Sequence, residues 1–274
     1  MLARWLAAAA CAAACITAAA QDEVPFITTP DNVTLAMLQL AGVAAQDFVV
    51  DLGSGDGRIV ITAARRFGAR GLGVEIVPDL VAQSRANAVK AGVAERVEFR
   101  VQDLFLTPLN DATVVTMYLL PEVNLQLRPR LLALPPGTRI VSHDWDMGDW
   151  VPDRTVTLDV PDKAIGRDKR SNVHLWVVPV AVQGLWCSKG LSLQIEQRFQ
   201  RFSATLAATG VAAPVMVFDG RIDTRTLRGL GATGEARAEL EWQGAALKAR
   251  HFAAPASVHG GSTFSRAGSG GCGT

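Results

Sequence analysis

The chain has 274 residues, 49% of them hydrophobic, with 27 Lys and Arg against 26 Asp and Glu, for a formal net charge of +1. That length suffices for one α/β domain with something small beside it. The near-neutral balance gives no electrostatic reason to expect a nucleic-acid partner, so none is expected.

The first twenty residues read as a targeting segment rather than as fold. Met1-Leu2-Ala3-Arg4 is a short, weakly basic start, and Trp5 to Ala19 is uncharged and alanine-rich. Ala18-Ala19-Ala20 then fits the small-residue rule for signal cleavage. The pattern predicts an exported, periplasmic protein. The apolar run is shorter than the roughly 20 residues of a spanning helix, so a retained membrane anchor is the second choice. Neither Cys11 nor Cys15 has a leucine three residues before it, which weakens a lipoprotein reading.

From residue 21 to about 180 the chain alternates strand and helix. Thr29-Pro30-Asp31 opens the first helix, with Val33, Met37, Leu40 and Ala41 on one side. Strands are expected at Phe48 to Leu52, Leu72 to Ile76, Val97 to Val101, Thr113 to Tyr118 and Arg139 to Ser142. Helices are expected between them at Arg58 to Phe67, Pro78 to Ala91 and Pro121 to Leu134. An antiparallel pair, Thr155 to Val160 and Val173 to Val180, closes the series, with a charged loop from Asp162 to Ser171. Such alternation implies a Rossmann-like α/β fold, a mostly parallel sheet with helices on both faces.

After Pro179 the character changes. Gly184 to Cys187, Leu191 to Leu206, Pro214 to Ile222 and Ala236 to Trp242 alternate apolar and polar residues. They predict a small antiparallel β domain over 181–252, a sandwich or half-barrel. Its role reads as a structural cap or a substrate-docking module. From 253 to 274 the chain is mostly Ala, Ser, Gly and Pro, and a disordered tail is expected there. Cys187 and Cys272 remain after the signal; with Cys272 in that tail, no structural disulfide is expected. No convincing metal-ligand spacing is found.

The most informative run is Val49-Val50-Asp51-Leu52-Gly53-Ser54-Gly55-Asp56-Gly57-Arg58-Ile59-Val60. It reads as strand, tight turn and helix, a turn that faces a ligand at the carboxyl edge of an open α/β sheet. Its glycines stand as G-x-G-x-G, and the last spacing is wrong for the dinucleotide fingerprint. Carboxylates at Asp51 and Asp56 repel a pyrophosphate and tolerate a cationic group. Asp56 has a second reading, as the acid that starts the following helix. Glu75, near the second strand's end, can bridge the two hydroxyls of a ribose. Asp103, after the third strand, is placed to accept from an adenine amine. The pattern favours a nucleoside carrying a positive charge.

These residues resemble class I S-adenosylmethionine-dependent methyltransferases. Asp51 to Gly57 is similar to their first motif, Glu75 to their ribose acid and Gln102-Asp103-Leu104-Phe105 to their adenine-side loop. A closer likeness is to the lysine methyltransferases of the ATP synthase c-subunit and adenine nucleotide translocase type and their bacterial relatives. It is carried by Pro25-Phe26-Ile27-Thr28-Thr29-Pro30, by Asp51 to Ile61 and by Asp103-Leu104-Phe105, and covers about residues 24–180. The resemblance implies a seven-strand methyltransferase sheet. It implies S-adenosyl-L-methionine as cofactor, bound by Asp51, Gly53, Ser54, Gly55, Asp56, Gly57, Glu75 and Asp103, with Thr28 and Thr29 at the methionine end. It also implies an acceptor amine, with a protein lysine first and a small molecule second. A non-catalytic nucleoside-binding protein is the reading from outside the enzymes. Export leaves open how a cofactor made in the cytosol is supplied.

Methyl transfer is an in-line displacement that needs a neutral nucleophile held about 3 Å from the reacting carbon. A lysine amine, with a free pKa of about 10.4, sheds its proton most readily in an apolar, aromatic pocket. Two strand ends offer one. Tyr118, the single tyrosine, can orient the nucleophile with its hydroxyl and face the sulfonium with its ring, or simply pack at the sheet edge. Ser142-His143-Asp144-Trp145-Asp146-Met147-Gly148-Asp149-Trp150 follows on the fifth strand. There His143 can carry a proton or be structural, and Asp144 can orient it or an approaching ammonium. Trp145 and Trp150 can line the entry or cover the sheet, and Asp146 and Asp149 can serve only to solvate the loop.

Overall fold

The computed structural model describes residues 27–164, 168–209, 211, 213–232, 234, 237–252 and 262–272. The expected signal or anchor at 1–20 lies outside the described residues. Among the described residues no helix is long and apolar enough to cross a membrane.

The first domain runs α1 (Asp31–Leu40), β1 (Phe48–Leu52), α2 (Arg58–Phe67), β2 (Arg70–Glu75), α3 (Pro78–Lys90), β3 (Val97–Val101), β4 (Val114–Met117), α4 (Pro121–Leu132), β5 (Arg139–His143), β6 (Arg154–Asp159) and β7 (Arg170–Val177). A single 3-10 turn, Leu104–Leu106, sits between β3 and β4. The seven strands form one sheet in the order β3-β2-β1-β4-β5-β7-β6. β1 pairs parallel with β2 and with β4, so Asp51 lies between Gly73 and Thr116. β7 returns antiparallel to β5, with Ile140 opposite Trp176, and β6 is antiparallel to β7.

Burial on both faces explains the unbroken apolar runs of the inner strands. Val49, Val50 and Leu52 of β1 are all 0–1% exposed. One face is covered by α4 and the segment after β5 (Leu127, Leu131, Met147, Trp150), the other by α1 and α2 (Met37, Ile59, Ala63). The antiparallel pair starts earlier than expected: Arg170 and Ser171 belong to β7, not to the charged loop, and Ser171 is buried against His143.

The second domain is a closed barrel rather than a sandwich or half-barrel. Its strands are β8 (Gly184–Ser188), β9 (Leu191–Arg198), β10 (Arg201–Ala208), β11 (Pro214–Asp223), β12 (Thr226–Gly231), β13 (Arg237–Trp242), β14 (Ala246–Phe252) and β15 (Thr263–Arg266). The expected disordered tail is corrected in its described part, which supplies the closing strand. β15 pairs with β14 through Leu247 and Phe264, and with β8 through Arg266 and Trp186. Closure removes the two edges that an open sheet leaves unpaired, and Phe264 goes fully into the interior.

The expectation about cysteine is corrected with it. Cys187 and Cys272 are disulfide-bonded, with Cα atoms 5.4 Å apart. Ser265 lies opposite Cys187, and a turn bridging Gly268 and Gly271 folds the end of the chain back over β8. The glycine-rich composition that suggested a loose tail is what makes this reversal.

The barrel docks at the amino-terminal edge of the sheet. The Val180 amide donates to the Thr224 carbonyl at 2.8 Å, and Arg221 pairs with Asp153. Trp150 is fully buried and donates from Nε1 to Gln200 Oε1 at 2.9 Å. Its ring stacks on Phe199 with centroids 5.9 Å apart. Phe199 takes a φ of 56°, a left-handed conformation that a bulky residue holds only when its surroundings require it. Trp150 and Asp149, expected beside a crevice, therefore belong to this joint: Asp149 pairs with Arg128 and with Arg198 of the barrel. Asp146 accepts from the Gly148 amide and shapes the same segment.

Candidate active site

The strand order reverses at β1: β2 and β3 lie to one side, β4 and β5 to the other. A crevice outside the carboxyl ends of β1 and β4 follows from that topology. The sequence-predicted residues gather there in two groups.

The first group surrounds the glycine turn. Asp51 ends β1 only 2% exposed and accepts from Thr116 Oγ1 at 2.7 Å. Burial pushes its carboxyl up to about 7 against that hydrogen bond, and the charges of Asp56 and Glu75 push the same way. Glu75 is held by three backbone amides: Gly55 to Oε2 at 3.1 Å, and Ile76 and Val77 to Oε1 at 2.8 and 3.1 Å. The acid is thereby aimed across the turn, with lone pairs left for a diol. Gly57 has a φ of 82°, and a Cβ there falls 2.7 Å from the Phe99 ring, so only glycine fits. Gly53 has a φ of 74°, the left-handed region that favours glycine. The buried Ser54 Oγ has no protein partner among the described residues.

Asp56 stands one residue before the N-cap of α2, Gly57. Its carboxylate accepts from the Arg58 amide at 3.2 Å and is clasped by the Arg58 guanidinium, with Nη2 at 2.6 Å. Asp103 is exposed, and its Oδ1 accepts from the Phe105 amide at 2.7 Å, capping the 3-10 turn.

The second group sits at the ends of β4 and β5. Tyr118 is half-buried, and its ring lies on His143 with centroids 3.9 Å apart. Burial and the nearby Asp144 charge raise its phenol pKa, so it stays neutral and keeps its proton to donate. His143 is 1% exposed. Its Nδ1 lies 3.3 Å from Thr29 Oγ1 and its Nε2 2.9 Å from Ser171 Oγ. Burial depresses its pKa to about 4, the neighbouring Asp144 opposing and Lys163 assisting. Burial thus favours the neutral ring, which supports Tyr118 with both of its nitrogens engaged.

Asp144 is strained and firmly held. Its φ is 62°, its amide donates to the Asn172 carbonyl at 2.7 Å, and its Oδ1 accepts from the Asn172 amide at 3.0 Å. Trp145, 45% exposed, stands next to it.

Thr29 joins the two groups. Its hydroxyl meets His143, and its carbonyl accepts from Arg58 Nη1 at 2.8 Å. Thr28 is exposed beside it. Arg58 was not singled out from the sequence, although its place just after the last turn glycine was a signal. Ser84 and Asn87 were missed as well. From one face of α3, Ser84 Oγ donates to the Gly55 carbonyl at 2.8 Å and Asn87 Nδ2 to the Asp56 carbonyl at 3.0 Å. Their spacing of three residues on a helix was the available clue.

Comparison with known proteins adds to this geometry. The model of the ANTKMT methyltransferase domain matches residues 51–154. A protein-lysine N-methyltransferase of Saccharolobus islandicus (strain REY15A) is 42% identical over 138 residues, covering 50% of this chain and 86% of that protein. An adenine nucleotide translocase lysine N-methyltransferase of Mus musculus is 42% identical over 106 residues, 38% of this chain and 46% of that protein. The chain thus spans most of the archaeal relative but about half of the vertebrate one. Among solved structures, an RNA methyltransferase from Salinibacter ruber in complex with S-adenosyl-L-homocysteine is 54% identical with a TM-score of 0.52. The match covers 57% of this chain and 96% of that one.

Proposed function

The chain belongs to the protein-lysine N-methyltransferases, and from that premise we propose that it transfers the methyl group of S-adenosylmethionine to the side-chain amine of a lysine in a protein. The observation that carries the reading is a juxtaposition. A turn ringed by the carboxylates of Asp51, Asp56 and Glu75 shares one sheet edge with a neutral Tyr118–His143 pair flanked by Asp144.

The residues fit the cofactor. A buried acid raised to about 7 gains from a cationic neighbour, and the left-handed Gly53, Gly55 and Gly57 give the turn a backbone without side chains. Asp51 would hold the cofactor's positively charged part, Glu75 the ribose hydroxyls and Asp103 the adenine amine. When bound, S-adenosylmethionine supplies a methyl group on a positively charged sulfur.

The chain's own residues do the rest. Asp144 receives the acceptor's ammonium at the mouth. Tyr118, kept neutral by burial, accepts an N–H of the amine at its hydroxyl oxygen and so leaves the nitrogen lone pair free to point at the methyl carbon. His143, Thr29 and Ser171 form the floor that fixes the Tyr118 ring. An amine that leaves Asp144 for this poorly hydrated floor releases its proton to solvent more easily than in water.

The rim favours protein over nucleic acid. Asp103, Glu122 and Asp146 are all exposed around the strand ends, and such carboxylates repel a phosphate backbone. The name of the Salinibacter structure points instead to RNA. Incubation with labelled S-adenosylmethionine and either poly-L-lysine or total RNA separates the two. Label on lysine, confirmed by mass spectrometry, is the expected outcome; label on RNA alone overturns the lysine reading.

We also propose that the chain works outside the cytosol, as its N-terminal pattern implies. The disulfide between Cys187 and Cys272 supports this, since such bonds persist in oxidising compartments. A fusion of the first 20 residues to a reporter active only after export tests it.

A further inference from the structure

The loop between β6 and β7 brings a lysine to the acceptor side of the crevice. Lys163 Nζ lies 2.8 Å from Asp144 Oδ2, with its side chain 15% exposed and that of Asp144 14%. The same Oδ2 is 3.5 Å from His143 Nε2, and the His143 ring carries Tyr118 at 3.9 Å. His174 approaches from β7, its Nε2 3.4 Å from the Asp144 carbonyl. A primary ammonium on a four-carbon stem thus rests on a sheltered carboxylate beside the residues assigned to acceptor chemistry.

Other bonds besides this pair tie the base of the loop. The Val160 amide donates to the Lys169 carbonyl at 2.6 Å, and the Lys163 amide to the Val160 carbonyl at 3.0 Å. Lys169 Nζ donates to the Lys163 carbonyl at 2.8 Å, and Lys163 Nζ itself donates to the Arg170 carbonyl at 2.6 Å. Asp144, by contrast, is held in a left-handed conformation by two bonds to Asn172, and strain of that kind collects at ligand clamps.

We infer that Asp144 is the alkylammonium subsite of the acceptor, and that Lys163 is its internal occupant, which an incoming lysine must displace. This deepens the lysine reading above and rests on it. It makes Lys163 a determinant of acceptor affinity. If Lys163 occupies the carboxylate in about nine molecules of ten, external ammonium binds about tenfold more weakly than to the free subsite.

The test is an NMR titration of the cofactor-free full chain with n-butylammonium chloride, the lysine side chain without its backbone. Lys163→Met is expected to bind the probe about tenfold more tightly than the parent chain, with shifts centred on Tyr118 and Asp144. Adding Asp144→Asn to that variant is expected to abolish the gain. Lys163→Arg, which keeps a cation on the loop, should bind as weakly as the parent. Equal affinity in Lys163→Met and the parent overturns the inference, as does a gain that survives Asp144→Asn. Calorimetric titration with S-adenosylmethionine checks that each variant remains folded. The probe is read without methyl transfer, so failure to methylate any lysine sinks the functional reading separately and leaves the subsite result standing.

Discussion

The two edges of the central sheet use the same kinds of residue to opposite ends. At the amino-terminal edge, Trp150, Gln200, Asp153 and Arg221 each find a partner across the domain boundary, and the joint is closed. At the carboxyl edge, Arg58 and Lys163 neutralise Asp56 and Asp144, while Asp51 and Glu75 have no cationic partner among the described residues. Asp51 has one hydroxyl for a partner, Ser54 Oγ has none among the described residues, and Asp144 holds a strained backbone. Paired polar groups at one edge stabilise an assembly; under-paired ones at the other wait for a ligand. The barrel is seated at the closed edge, the opposite end of the strands from Asp51 and Tyr118.

If that contrast holds, the edges should fail independently. The largest effect is expected from Cys187→Ser or Cys272→Ser. A bridge across 85 residues restricts the unfolded chain by roughly 4.6 kcal/mol, a loss that belongs to the barrel. Thermal unfolding is expected to show an earlier barrel transition, while S-adenosylmethionine affinity at 25 °C stays within about twofold. Affinity falling together with the barrel would show that the edges are coupled. Next comes Glu75→Ala. It removes the acid that three backbone amides orient, so calorimetry is expected to show about 100-fold weaker cofactor binding with an unchanged barrel transition.

The carboxyl edge was largely legible in the sequence because its signals are local. Asp51 to Gly57 needs a turn, and the turn residues stand side by side. Glu75 and Asp103 follow at strand ends that the apolar runs already mark. What escaped was non-local. Trp150 and Asp149 were read with their sequence neighbours at the crevice, yet the chain after His143 crosses the whole face of the sheet before β6 begins. Nothing within the segment encodes that its partners would be Phe199, Gln200 and Arg198. The barrel shows the same limit. Alternation marked β8, β9 to β11 and β13. By contrast, Gly229 and Gly231 weakened β12, and the pairing of Phe264 with Leu247 spans residues whose composition spoke only of a tail. Closure and the disulfide are properties of a register, and register is decided across the sheet.

Tyr118→Phe sharpens the contrast within the open edge. The ring stays on His143 while the hydroxyl is lost, so kcat toward a lysine acceptor is expected to fall about 30-fold with cofactor affinity unchanged. Steady-state kinetics and calorimetry on the same preparation separate the two; equal loss in both would place Tyr118 in cofactor binding instead.

The smallest effect is the pH dependence of the open edge, and its sign follows from Asp51. The carboxyl titrates near 3.8 when exposed and about 7 in the fold. Between those values the folded chain keeps a proton that the unfolded chain has released, so this group makes stability fall as pH rises through that window. Cofactor binding runs the other way. A cationic ligand favours the ionised carboxylate, which is the minor form at pH 6 and the major form at pH 8, so affinity is expected to rise about tenfold between them. Asp51→Asn keeps the shape and the Thr116 contact but has no charge to gain. It is expected to be more stable near neutral pH, to bind the cofactor more weakly at pH 8, and to show no slope. A slope that persists in Asp51→Asn would assign the titration to another group. The buried acid destabilises the empty fold and gains its counter-charge only when the crevice is filled, so stability and binding should respond to pH with opposite sign at this edge alone.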